Sequence, residues 1–212
     1  MSVDALHALS YVVVDVETTG MRPFAGDRIT EFAAVVVRNG VIAERYETLV
    51  NPGRPIPPFI SALTHITWSM VRTAPTFGDI CADVMRIMRG HVFVAHNVAF
   101  DWRFVSAEVA RATGEQLDAR QLCTVRLARR VLPSLPSRRL DALARHYSIA
   151  IPGRHRAGGD ALATAAILLR LLDAARERDC RCWGDLQQLL RTRRPRRRVT
   201  GLPQPFTPER GI

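Results

Sequence analysis

Over residues 11–50 apolar positions either run together or alternate with polar ones, the two signatures of strands. "YVVVDVETTG" (residues 11–20) starts as a β-branched run and predicts a buried strand; "DRITEFAAVVVRNG" (27–40) predicts a second. Asn39-Gly40 is the dipeptide of a tight hairpin turn, so "VIAERYETLV" (41–50) should return as a third strand, giving an antiparallel meander. Residues 51–77 are rich in Pro and turn formers and predict a surface connection with one or two short helices.

Beyond it the period lengthens. Phe77, Ile80, Cys81, Val84, Ile87 and Met88 follow helical spacing, which predicts a helix from Thr76 to about Arg89. A short strand, "VFVAH", leads into "NVAFDWRFVSAEVARATG", a helix with Asn97 as N-cap and Gly114 at its end. A short strand near Leu122 follows, then helices through "VRLARRVL" and "RRLDALARHY" on either side of a Pro-marked break. Last comes the long apolar helix "AGGDALATAAILLRLLDAARER". A meander followed by strands alternating with helices predicts an α/β domain on one mixed sheet. The pattern stops near residue 192. We therefore expect one domain over residues 1–190 and a flexible basic tail over 191–212, where "RTRRPRRR" has little apolar content beside it.

Composition changes this picture in four ways. A chain of 212 residues with 47% hydrophobic content can bury a sizeable core. The formal charge of +10 is carried entirely by arginine, since no lysine occurs. The absence of Lys reads as a coding bias, but the excess of positive charge favours a polyanionic partner such as nucleic acid. No apolar run reaches membrane-span length and the N-terminus lacks a signal-peptide pattern, so no membrane association and a cytoplasmic location are expected. Cys81, Cys123, Cys180 and Cys182 lack zinc-type spacing and are expected to be reduced thiols.

Candidate chemistry begins with Asp15 and Glu17. Two residues apart on a strand, they share a face at roughly 6.6 Å and repel by roughly 2.5 kcal/mol at an effective dielectric of about 20. A cation between them, neutralisation of one acid, or exposure of both to water would offset this. Asp101 falls in the first turn of a helix just past a strand's carboxyl end, where open α/β sheets gather active sites. Asp160 opens the long helix, five residues after His155. Taken singly, acids at helix starts also serve the helix dipole.

Together these stretches carry a resemblance. "VVVDVETTG", "VAHNVAFDWRFV" and "HRAGGDALATAAIL" match the three motifs of the DEDDh family of 3′–5′ exonucleases, in its order and kind of spacing. "TLV", "ALTHIT" and "CTVRLARRVLPSLPSRRLDALARHYSI" look like the members nearest the proofreading epsilon subunit of bacterial DNA polymerase III. The resemblance covers residues from about 10 to 175. It implies an RNase H-like fold with a five-stranded mixed sheet and two divalent cations, Mg2+ or Mn2+, held by Asp15, Glu17, Asp101 and Asp160. It further implies His155 as general base and release of nucleoside 5′-monophosphates from the 3′ end of single-stranded or frayed DNA.

Thr18, Thr19, Gly20, His65, Ile66, His96, Asn97 and Phe100 carry over as residues around the terminal nucleotide. Gly20 would allow close approach, and Phe100 is either a base-packing or a core residue. Two departures stand out. His65 occupies a place where relatives usually carry Gly, and Gly158-Gly159 should loosen the start of the long helix and leave the His155 loop mobile. Arg154 and Arg156 should act on His155 through their charge. Two other readings stay open: an RNA exonuclease of the oligoribonuclease or ribonuclease T type, and an accessory subunit docking its tail to a DNA polymerase, a sliding clamp or nucleic acid. The oligomeric state is not legible.

Overall fold

A computed structural model describes residues 5–191 apart from residue 7. The expected basic tail lies almost wholly outside the described residues.

Five strands form one sheet: β1 (Tyr11–Thr18), β2 (Ile29–Arg38), β3 (Val41–Leu49), β4 (Val92–Ala95) and β5 (Gln121–Cys123), in the order β3-β2-β1-β4-β5. The meander pairs antiparallel, with Asn39 and Gly40 both at positive φ as a two-residue hairpin turn demands. β4 and β5 join parallel to β1. The helices are α1 (Pro58–Thr64), α2 (Trp68–Val71), α3 (Phe77–Met88), α4 (Val98–Thr113), α5 (Thr124–Val131), α6 (Leu140–His146), α7 (Ala157–Arg176) and α8 (Trp183–Arg191).

The strand period sorts side chains between two cores. Val12, Val14 and Val16 of β1 pack with Phe32 and Val36 of β2 against α3 and α4, whereas Tyr11 and Val13 pack with Ala33 and Val35 against α7. α7 is small-faced where it meets the sheet, with Ala157, Ala161 and Ala165 buried, so helix and sheet approach closely. Asp15 and Glu17 continue the α7 side of β1 beyond the apolar core, at the end of the strand.

Two expectations are corrected. α8 has no counterpart in the sequence reading. It packs Trp183 and Leu186 onto the α7 core, and its N-terminal side is tied to the chain's start by Leu6 N–H donating to the Arg181 carbonyl at 3.0 Å. Asn97 stands at the N-cap of α4, but its side chain makes no capping bond; the capping box is at α3, where Thr76 and Asp79 exchange bonds. Gly159 also meets a packing requirement, because a Cβ there would lie 1.6 Å from the Pro152 carbonyl oxygen. The four cysteines are free thiols. Among the described residues no helix is long and apolar enough to cross a membrane.

Candidate active site

Three elements deliver the acids. β1 ends on Asp15 and Glu17, with a register shift between Glu17 and Thr18 that re-aims the chain as it leaves the sheet. The first turn of α7 brings Asp160 over the same face, 4% exposed. Carboxylate oxygens of Asp15, Glu17 and Asp160 all lie within 4.8 Å of one another. Asp101 comes from the first turn of α4, 5% exposed, and its Oδ1 accepts the Val16 N–H at 3.2 Å. It adjoins the trio, since its charge acts on both Asp15 and Glu17.

Burial raises the proton affinity of every member, and mutual repulsion adds to it at Asp15 and Glu17. Burial is the larger cause for Asp15, whose pKa stands well above the usual range, reinforced by Asp101, Glu17 and Asp160. Burial, then Asp160, Glu31 and Asp101, push Glu17 to about 8. Burial pushes Asp101 to about 7 against the pull of backbone N–H groups, its own and that of Val16. Asp160 is raised by burial, with Arg154 and His155 opposing. Asp15 and Glu17 stay half-buried, so water supplies part of the offset anticipated for them, and raised proton affinity and the Arg154 charge supply the rest.

His155 sits just before α7 with φ of 61°, in the left-handed region, and is half-buried. Its neighbours fix that turn. Arg156 donates to buried Glu31 through Nε at 3.0 Å and Nη2 at 2.5 Å, and the Ala157 N–H donates to Glu31 Oε2 at 2.8 Å, so one β2 carboxylate anchors the helix start. Arg154 reaches Asp141 through Nε at 2.7 Å and Asp160 through Nη1. Both arginines expected to act on His155 are thus bound to carboxylates.

The residues expected around the nucleotide are distributed unevenly. Thr18 and Thr19 are buried and hold the turn: Thr18 Oγ1 donates to the Gly20 carbonyl at 2.6 Å, and Thr19 Oγ1 accepts the Arg28 N–H at 3.0 Å. A Cβ on Gly20 would meet the Asp27 carboxylate at 2.4 Å, so Gly20 makes room for Asp27. His65 ends α1 in the left-handed region, φ 59°, which is why glycine suits that position. Ile66 is fully buried with Ile60 and Val71 and supports the loop from beneath. His96 binds Thr124 Oγ1 through Nδ1 at 2.9 Å, and burial pushes it down to about 4. Asn97 is exposed, and Phe100 leans on Phe104 with centroids 5.0 Å apart.

Divalent cations fit this donor set. All candidate ligands are hard carboxylate oxygens, their charges are otherwise only partly compensated, and Asp160 Oδ1 is a buried atom without a partner. Two contributors escaped sequence reasoning. Glu31 lies opposite Glu17 in the β1–β2 register, and its signal was an acid inside a strand with no polar face to occupy. Asp141, which shares Arg154 with Asp160, carried no signal, because an acid on a short helix is ordinary.

Comparison with known proteins agrees with this arrangement. The exonuclease family model of the ribonuclease T type matches residues 12–168. The chain is 42% identical over 183 residues to a DNA polymerase III subunit epsilon-like protein of Rhodobacter capsulatus, covering 84% of this chain and 26% of that protein. It is 40% identical over 167 residues to the 3′–5′ exonuclease DinG of Bacillus subtilis, covering 79% of this chain and 18% of that one. The chain thus spans about a quarter or less of these relatives' length. The structure superposes on Exonuclease X, solved with 5′-overhanging duplex DNA, with a TM-score of 0.64 and 30% identity over 78% of this chain and 93% of that one. The mixed sheet flanked by helices is accordingly RNase H-like. With its motif acids gathered at the end of β1, the chain belongs to the exonuclease family, that of the DnaQ-like 3′–5′ exonucleases.

Proposed function

We propose that this protein is a metal-dependent 3′–5′ exonuclease that shortens single-stranded or frayed DNA from its 3′ end and releases nucleoside 5′-monophosphates in a proofreading or repair setting. The observation that carries this reading is the convergence of Asp15, Glu17 and Asp160, with Asp101 beside them, into an oxygen-only cluster whose proton affinity is raised throughout. These four acids would hold two divalent cations, Mg2+ or Mn2+. When bound, such cations compensate charge on the attacking and leaving oxygens of an in-line phosphoryl displacement.

The chain's own residues supply the rest. His155 would take the proton from the attacking water: it immediately precedes the helix whose first turn carries Asp160, in a turn braced by Glu31 through Arg156 and Ala157. The backbone of the Thr18–Gly20 turn, locked by its own side chains, offers the terminal nucleotide a rigid edge. DNA as substrate is supported by the duplex DNA bound to Exonuclease X, and the proofreading setting by the polymerase III name of the Rhodobacter relative.

The test is incubation with 5′-labelled DNA and RNA oligonucleotides in Mg2+, Mn2+ or EDTA, beside an Asp15→Ala control. Laddering of DNA from the 3′ end that requires both metal and Asp15 is expected. Equal cleavage in EDTA, or by the variant, would overturn the reading, and faster laddering of RNA would transfer it to RNA.

A further inference from the structure

Arginine pairing is uneven over this molecule. Arg28 is held by buried Glu108, Arg86 by Glu44, Arg154 by Asp141 and Asp160, and Arg156 by Glu31. Along α5 and the α5–α6 connection the acids disappear. Arg126, Arg129 and Arg139 are exposed there, and among the described residues none of them makes an ion pair. Arg130 and Arg138 turn toward carbonyl oxygens instead, Arg130 to Leu190 at 3.2 Å and Arg138 to Leu132 at 2.9 Å.

These arginines form a continuous surface. One groove opens at His96, Asn97 and Arg154, next to the acid cluster through the Arg154–Asp160 pair, and runs to Arg129, Arg138 and Arg139. A second shares Arg129 and Arg138 and continues through Arg126 and Arg130 to Leu190 of α8. Arg126, Arg129 and Arg130 are three and four residues apart on α5 and so share one face, where like charges cost about 0.2–0.5 kcal/mol per pair. Among the described residues, exposed arginines without an ion pair also occur elsewhere, at Arg45, Arg72 and Arg89, so what distinguishes the track is contiguity and position: its members line two grooves that share Arg129 and Arg138 and open beside the site. The chain leaves α8 beside this surface, and the sequence that follows, "TRRPRRR", is again arginine-rich.

We propose that this arginine track binds the phosphodiester backbone of a single nucleic-acid strand, holding the nucleotides on the 5′ side of the one placed at the acid cluster. The direction of the strand rests on the exonuclease reading; the binding itself does not. Phosphate contacts of this kind position a strand without reading its bases and weaken with salt.

The experiment uses the full chain and the triple variant Arg126→Gln, Arg129→Gln, Arg139→Gln, with fluorescent oligothymidylates of four and of sixteen nucleotides, in EDTA so that no turnover occurs. Thermal melting checks that the variant is folded. For the long strand the variant should bind roughly tenfold more weakly, with a salt slope lower by about 2, the single-strand value for three lost phosphate contacts. The short strand should bind nearly unchanged. In Mn2+, hydrolysis of the p-nitrophenyl ester of thymidine 5′-monophosphate should be unaffected while KM for the long strand rises. A variant that binds the long strand with wild-type affinity and slope overturns the track, as does polyglutamate competing as well as the oligonucleotide. If the wild-type protein binds the long strand in this way but hydrolyses neither substrate, the track stands and the exonuclease reading falls.

Discussion

The guanidinium of Arg154 is bonded to Asp160, a carboxylate of the candidate metal cluster, and to Asp141 on α6. It also draws down the proton affinity of Asp15 and Glu17, so it acts as an internal counter-cation in the metal-free protein. A divalent ion at Asp160 must compete with it.

Replacing Arg154 with Gln should therefore tighten Mn2+ binding several-fold, read by titration calorimetry. It should also lower the metal-free melting temperature by about 2–4 °C, corresponding to about 1 kcal/mol for a pair whose arginine is partly solvated. Unchanged Mn2+ affinity would show that the guanidinium does not compete.

Stability should depend on pH in a direction opposite to that of ordinary surface carboxylates. Glu17 has an ordinary value of 4.5 and is pushed to about 8 in the fold; Asp101 moves from 3.8 to about 7. The native state thus binds more protons than the unfolded chain across this window, and unfolding free energy falls as pH rises through it. Without metal, melting temperature should decline between roughly pH 5 and pH 8, and saturating Mg2+ should flatten the decline because metal replaces the lost protons. A metal-free melting temperature that climbs over that range would contradict the raised carboxyl values.

Asp15→Asn removes one charge from the cluster and one ligand from the cations. Metal-free stability near pH 8 should rise or hold, while the stabilisation contributed by Mn2+ should shrink and nuclease activity should fall by at least about a hundredfold. A full metal-induced shift in the variant would exclude Asp15 as a ligand.

His155→Ala should leave melting temperature within about 1 °C of wild type, since the side chain makes no hydrogen bond to another described residue, yet lower kcat by about 10²–10⁴-fold. Wild-type turnover in this variant would remove the imidazole from the proton-transfer step.

Gly159→Ala and Gly158→Ala separate packing from helix propensity. A Cβ on Gly159 meets the Pro152 carbonyl at 1.6 Å, a backbone atom, whereas on Gly158 it meets the Glu47 carboxylate at 2.0 Å, the end of a flexible side chain. Urea unfolding should show Gly159→Ala destabilised by about 2–3 kcal/mol and Gly158→Ala by less. The same loop bears His155, so Gly159→Ala should also lose activity.

The hydrophobic pattern alone determined the meander, the alternation of later strands and helices, and the positions of Asp15, Glu17, Asp101 and Asp160 relative to element ends, because a period of two or of 3.6 and a local turn signal are properties of neighbouring residues. α8 escaped for the same reason: Trp183 and Leu186 give it too short an apolar face to stand out until α7 provides the surface that covers it. Gly158-Gly159 read as flexibility because helix propensity is local, whereas the Pro152 carbonyl that forbids a Cβ is a tertiary neighbour. Pairing was likewise beyond the sequence. Thirty basic residues look alike along the chain, and only the fold decided that Arg156 anchors Glu31, that Arg154 occupies Asp160, and that Arg126, Arg129 and Arg139 face solvent without an acid, since which charges meet depends on packing between elements distant in sequence.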